Sequence, residues 1–324
     1  MNTLIEEYKL PSKHISASQI TLYYSCGLKY YKRYVEGVIK HSSSYRDMMK
    51  GTAVHKTLQQ LYDDKILRMS DDFKELRNES VDCLTPTQVG ELAIEKYSEL
   101  HEQEENSPIS DTDKHDFVTG VKPVVETYAK YVYPYVTPVS TEFEVTFNYV
   151  VNQETGLSVP ILMIIDLFRK RSVNPGDNVI CDYKVTTRKW DVNKLKNNVQ
   201  FMLYSNMLSI PSVEIHDLVK HTPSSNTTTS TITRKRTKKE IEGCTDYSLA
   251  TKFDETSDTL SFNDVTIIRN EFETGNEAPA TKYLDRIIKG FVLGVSKGVF
   301  LPAQPDSWVC SEKWCEYYTE CRKN

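Results

Sequence analysis

Between residues 141 and 222, four strand-type runs and one helical run follow in the order strand, strand, strand, helix, strand. That order confines the chain to a layered α/β architecture, because a helix inserted among strands must pack on a sheet face. TEFEVTFNYVV, from Thr141, alternates apolar and polar residues. LSVPILMIIDLFRKR (157–171), VICDYKVTT (179–187) and SVEIHDLVKHT (212–222) are rich in β-branched and apolar residues, and NPGDN (174–178) supplies a tight turn. DVNKLKNNVQFMLYSNMLS (191–209) has helical spacing with Asp191 placed as its N-cap.

Helical spacing also marks residues 17–38, with Ser18 as N-cap, and residues 45–69 and 121–136. Residues 101–116 are acidic and polar and read as an exposed loop. Residues 223–240, PSSNTTTSTITRKRTKKE, are Ser/Thr-rich and then basic, which suits either a solvated loop or an arm that contacts phosphates. TDYSLATKFDE and ATKYLDRIIKGFVLGVSKGVF read as helical up to Phe300. The expected organisation is one domain over 1–324. Its helical N-terminal part covers 1–139, a sheet covers 140–240, and a helical C-terminal part covers 241–324.

With 324 residues, the chain is long enough for a sizeable core. The N-terminal residues lack the layout of an export signal, and the longest strongly apolar run, VPILMII, is too short to span a bilayer. An intracellular (cytoplasmic) protein without a membrane partner is expected. In such a protein, seven cysteines suit metal binding or burial better than disulfides. A net charge of −5 does not announce a nucleic-acid binder, although a basic groove would suffice for one.

The third strand carries an unusual pair. Asp182 and Lys184 are two apart and share a face, while Cys181, Tyr183 and Val185 take the other. The preceding strand carries Asp166, and neighbouring strands run roughly 4.8 Å apart, so the two aspartates can converge. Converging carboxylates repel unless a cation lies between them. Two oxygen ligands with a nearby ammonium suit metal-assisted phosphodiester hydrolysis. The alternative is structural: Asp182 pairs with Lys184, and Asp166 joins a surface cluster with Arg169, Lys170 and Arg171. Two helices add side chains at four-residue spacing, Gly51 with His55 in GTAVH and Gln200 with Tyr204 in QFMLY.

Taken in order, GTAVH, IID, DYK and QFMLY resemble the PD-(D/E)XK nuclease superfamily, in particular its RecB-like branch of AddB-type and CRISPR-associated exonucleases. The resemblance implies a restriction-endonuclease-like core, a central mixed sheet flanked by helices. It also implies His55, Asp166 and Asp182 as ligands of Mn²⁺ or Mg²⁺, with the Tyr183 carbonyl as a further ligand. Lys184 would be the catalytic lysine, and Asp166 and Asp182 would share the catalytic role through the metal. Gln200 and Tyr204 would support the site or contact DNA. Ile165 stands where the superfamily has proline, and Glu142 or Glu144 is a candidate further acid.

The C-terminal segment WVCSEKWCEYYTECRKN places Cys310, Cys315 and Cys321 close together, a metal-ligating pattern that wants a fourth ligand. Iron–sulfur members of the RecB-like branch place one cysteine before the core and three after it. The resemblance therefore implies a [4Fe–4S] cluster on Cys26, Cys310, Cys315 and Cys321, with structural Zn²⁺ as the alternative. Gly27 stands where proline is common, and Cys83, Cys181 and Cys244 read as buried thiols.

Basic residues interleaved with rings in LKYYKRY (28–34), near RKRTKK (234–239) and in TTRKW (186–190) suit single-stranded nucleic acid, with ordinary amphipathic packing of snorkelling lysines as the alternative; DNA, single-stranded or with free ends, is the expected partner. The expected function is a DNA exonuclease in recombination, repair or DNA processing. Two alternatives are a catalytically silent DNA-end-binding or assembly module and a structure- or sequence-specific endonuclease. No GxxxxGK[ST] motif occurs, so a helicase or recombination activity would belong to a separate partner.

Overall fold

Period-two alternation builds the sheet and carries it further along the chain than the sequence suggests. The computed structural model describes residues 10–40, 45–70, 84–105, 109–171, 177–186, 190–220, 257–262, 265–275 and 278–323. Six strands form one mixed sheet: β1 (Thr137–Asn152), β2 (Leu157–Lys170), β3 (Asn178–Thr186), β4 (Ser212–Lys220), β5 (Ser257–Phe262) and β6 (Val265–Glu273). Their order is β1-β2-β3-β4-β6-β5. The β3–β4 pair is parallel and the other four pairs are antiparallel. A parallel pair needs a crossover, and two helices within 191–209 supply it, α7 (Val192–Lys196) and α8 (Val199–Leu208).

Four helices cover one sheet face: α3 (Tyr45–Met69), α4 (Pro86–Glu105), α5 (Asp111–Gly120) and α6 (Lys122–Tyr131). Val54, Leu58, Tyr62, Tyr97, Phe117 and Tyr128 pack there against Leu167, Cys181, Tyr183 and Leu218. On the opposite face lie α1 (Ala17–Ser25), α8 and α9 (Ala278–Ser296). Their Ile20, Phe201, Leu203 and Phe291 meet Ile161, Met163, Ile165, Ile180 and Ile215. The expected mixed sheet flanked by helices is thus the observed architecture. No helix among the described residues is long and apolar enough to cross a membrane.

Four sequence expectations need correction. The sheet does not stop at 240, since β5 and β6 lie in the part expected to be helical. The face of β6 that turns inward carries Arg269 and Glu271 beside Ile267, so a buried strand presents surface-type residues. The loop expected at 101–116 is mostly helix, with α4 reaching Glu105 and α5 starting at Asp111. Ser110 caps α5 by accepting from the Asp113 N–H (3.1 Å), and Asp113 is buried against Arg46 (3.1 Å). The helix expected at 191–209 breaks at Asn197 and Asn198. Asp191 caps α7, accepting from the Asn193 N–H, and Asn198 caps α8, accepting from the Gln200 N–H. The helix expected at 17–38 breaks at Cys26, which is extended (φ −161°) and leads into α2 (Gly27–Tyr30), and Ser16 rather than Ser18 caps α1. The NPGDN turn lies mostly, and residues 223–240 and TDYSLATKFDE wholly, outside the described residues, as do Cys83 and Cys244.

Beneath the sheet on the α3–α6 side lies a buried ionic cluster. The Glu214 carboxylate receives Arg269 through three contacts of 2.9–3.0 Å and also pairs with Arg169. It accepts the His216 Nε2–H, and His216 Nδ1 accepts from the Tyr128 hydroxyl at 2.6 Å. That tautomer follows from burial, which holds His216 neutral by pushing its pKa down, and from a charged carboxylate on one side. Tyr62 then bonds the Tyr128 hydroxyl at 2.8 Å. The chain of contacts ties β4 and β6 to α6 and α3.

Candidate active site

Two strands part where the acids sit. β2 and β3 are paired only from Leu167↔Cys181 to Lys170↔Asn178. Beyond that point the Tyr183 N–H, freed from the ladder, donates to Asp166 Oδ2 at 2.9 Å. In a strand the N–H and C=O of one residue point to the same side, so the Tyr183 carbonyl opens into the same gap. The Tyr183 ring takes the other face, near His55 (5.7 Å between centroids), Tyr62, Tyr128 and His216.

The helical His55 reaches this gap from α3. Its Nδ1 lies 3.2 Å from Asp166 Oδ2, and both side chains retain some exposure, 28% and 14%. Asp182 is more enclosed. Lys184 Nζ sits 2.6 Å from its Oδ2, while Gln200 Nε2 donates to its Oδ1 at 3.0 Å. Gln200 in turn lies 3.5 Å from the Tyr204 hydroxyl. The structure therefore gathers His55, Asp166, Asp182, Lys184, Gln200 and Tyr204, with the Tyr183 backbone, around one fork in the sheet.

The charges in the fork are coupled. Burial pushes the Asp166 carboxyl up, but His55, the Tyr183 N–H and Lys184 outweigh it, and the group ends below the ordinary carboxylate range. Asp182 goes the other way, because burial dominates and Asp166 adds to it against the pull of Lys184. Burial works against the charged forms of His55 and Lys184, yet Asp166 and Asp182 respectively leave both raised. Two carboxylates whose charges oppose one another, beside an imidazole, are a donor set that a divalent cation would relieve, and because the ligand atoms of His55, Asp166 and Asp182 do not all lie within 4.8 Å of one another, a shared ion would have to draw them closer.

Alternation left open which strand acid joins them. Glu142 does: burial and Asp166 raise its carboxyl, His55 opposes, and Asp63 adds to the rise. It lies between the pairs Thr141↔Leu167 and Phe143↔Ile165, hence across from Asp166. Its φ of +41° is rare for a residue with a Cβ. Nothing in the sequence signals that backbone angle. At Gly51 a Cβ would meet nothing within 4 Å, so the residue leaves open space one turn from His55.

The cysteine region depends on the chain ends meeting. Tyr23 and Tyr24 donate to the Val299 and Ile287 carbonyls of the C-terminal part, each at 2.8 Å. A Cβ on Gly290 or Gly294 of α9 would collide with these hydroxyls. Cys26 follows, its Sγ accepting from the Lys29 and Ala303 N–H groups at 3.4 Å. Gly27 lies so close to Leu301 that a Cβ would come within 2.8 Å of backbone. Cys315 is buried near enough for Cys26 to affect it. Gly27→Ala is therefore expected to cost about 1–3 kcal/mol, the usual range for overpacking. Thermal melts and limited proteolysis near residue 301 would measure it, and a melt unchanged from the parent would contradict the close approach.

Lysines in and just after the basic stretch LKYYKRY are paired within the chain. Lys29 pairs with Glu316 (2.7 Å) and donates to the Trp314 carbonyl (3.0 Å). Lys32 pairs with Glu36 (3.1 Å), and Lys40 pairs with Glu320 of α10 (Tyr318–Lys323). These ammonium groups tie the cysteine region down. Cys181, Glu214 and His216 also place three ligand-type atoms within 4.8 Å of one another. Two guanidiniums and an imidazole proton already surround that carboxylate, so a further cation there would meet like charge.

The profile of the PD-(D/E)XK nuclease superfamily matches residues 14–322. A search of curated proteins gave no match.

Proposed function

This chain belongs to the PD-(D/E)XK nuclease superfamily, and from that premise we propose that it is a metal-dependent deoxyribonuclease that degrades DNA from ends or in single strands. The observation that carries the reading is the fork itself, where His55, Asp166 and the Tyr183 N–H meet on one side and Asp182, Lys184 and Gln200 on the other.

His55, Asp166, Asp182 and the Tyr183 carbonyl would hold Mn²⁺ or Mg²⁺, the imidazole favouring Mn²⁺. The bound ion would supply charge neutralisation at the scissile phosphate and lower the pKa of water. The Lys184 ammonium, raised by Asp182 against burial, stays charged at neutral pH and faces developing negative charge. Gln200 fixes the orientation of Asp182, and Tyr204 steadies Gln200.

The test uses end-labelled linear and circular DNA, single- and double-stranded, with Mn²⁺ or Mg²⁺ present. Exonuclease action consumes linear DNA and spares circles. Circles cut as fast as linear DNA would replace this reading with an endonuclease. Binding of ends without cleavage in either metal would replace it with an end-binding module.

We also propose that Cys26, Cys310, Cys315 and Cys321 hold a [4Fe–4S] cluster. What supports the reading is that the segment carrying Cys26 is tied to the one carrying the buried Cys315 by the Lys29–Glu316 pair at 2.7 Å. Protein purified without oxygen is expected to be brown and to contain iron and sulfide; a colourless, zinc-loaded protein would reverse the assignment.

A further inference from the structure

The half of β3 that carries the acid–lysine pair has a main-chain ladder on one edge only. β2 leaves it after Cys181, and from Asp182↔Ile215 to Thr186↔Val219 it hangs on β4 in parallel register. Directly beside Lys184 in that register is Asp217, a fully buried carboxylate that no sequence motif singled out. Its Oδ1 accepts from the Thr186 hydroxyl at 2.7 Å, and its Oδ2 accepts from the Trp190 backbone N–H at 2.9 Å. Thr186 ends β3, and Trp190 begins the approach to α7 and packs against the core beneath α8. One carboxylate thus grips the chain on both sides of residues 187–189.

We propose that Asp217 is a positioning residue for the hydrolytic site: by fixing the exit of β3 it holds the Lys184 ammonium against Asp182. The inference rests on the proposed nuclease reading. A carboxylate is costly to bury, and this one accepts from both the Thr186 hydroxyl and the Trp190 N–H. A strand end tethered by main-chain bonds on one edge alone can pivot, and Lys184 lies two residues from that end. Displacement of a reacting group by about 1 Å costs roughly 100-fold in rate.

The substitutions are Asp217→Ala and Asp217→Asn, with Thr186→Val removing a single donor. Asparagine can accept from the Trp190 N–H and donate to the Thr186 oxygen, so it should restore the grip that alanine abolishes. Asp217→Ala is expected to lower kcat about 10- to 100-fold with KM for DNA within about twofold, Thr186→Val to fall between, and Asp217→Asn to recover most of the loss. A readout independent of cleavage is the rate at which Lys184 is acylated by an amine-reactive probe, followed by mass spectrometry of metal-free protein. That rate should rise in Asp217→Ala and return toward the parent value in Asp217→Asn. Unchanged kcat and unchanged labelling in folded Asp217→Ala would overturn the proposal. Should that variant not fold, Thr186→Val and Asp217→Asn decide it alone: a Thr186→Val protein matching the parent in both readouts overturns it. A parent protein that cuts no DNA defeats the nuclease reading, while the labelling series still judges the role of Asp217.

Discussion

Lys184→Ala should lower DNA turnover about 10²- to 10³-fold, the usual loss when one group that stabilises developing charge is removed. The ammonium lies 2.6 Å from Asp182 Oδ2 and is the main influence that opposes the effect of burial on that carboxyl. Its removal therefore does two things. The Lys184 ammonium no longer faces the leaving charge, and the Asp182 carboxyl rises further. The metal-binding titration should then need higher pH than in the parent, because the protonated acid is a poor ligand. Single-turnover cleavage in saturating Mn²⁺ separates the two effects, since excess metal restores occupancy and leaves the chemical defect. Turnover within a few-fold of the parent under those conditions would remove Lys184 from the mechanism.

Glu214→Ala should be the most damaging single change to stability, costing about 3–5 kcal/mol. That is a large share of the roughly 5–15 kcal/mol that holds a typical domain folded. It strands Arg169 and Arg269, both buried, and removes the acceptor of the His216 proton. The same residue predicts an acid limb. Burial would raise the Glu214 carboxyl, but Arg169, Arg269 and His216 hold it well below the ordinary carboxylate range. A carboxyl whose folded pKa is depressed contributes stability that is complete above its unfolded value of about 4.3. That contribution is lost as pH falls through the folded value. Urea unfolding midpoints should therefore fall below about pH 4 in the parent, and Glu214→Gln should flatten that fall. A variant as acid-sensitive as the parent would show that other carboxylates govern it.

How much of this could be read from residues alone varies with the kind of signal. Asp182 and Lys184 stand out because charges in an apolar strand violate the pattern around them. His55, Gln200 and Tyr204 follow from spacing on helices. Asp217 was invisible: in SVEIHDLVK it reads as an ordinary polar position, and its importance comes from where Thr186 and Trp190 end up. β6 was missed for a related reason, as its buried Arg269 and Glu271 are satisfied by a carboxylate and guanidiniums on other strands. The break at Cys26 and the division of α7 from α8 depend on side-chain caps whose partners lie a few residues away. In the basic stretch at 28–34 composition leaves nucleic-acid contact and packing both open, and only the structure shows that Lys29 and Lys32 pair with Glu316 and Glu320.

The bond from Tyr23 to the Val299 carbonyl joins residues 276 positions apart. During vectorial synthesis the Tyr23 hydroxyl of α1 must wait for this partner until the ribosome has delivered α9 and the turn after it. Closing so long a loop comes late and slowly, so a nascent chain can assemble its sheet well before Cys26 and Cys315 are brought together.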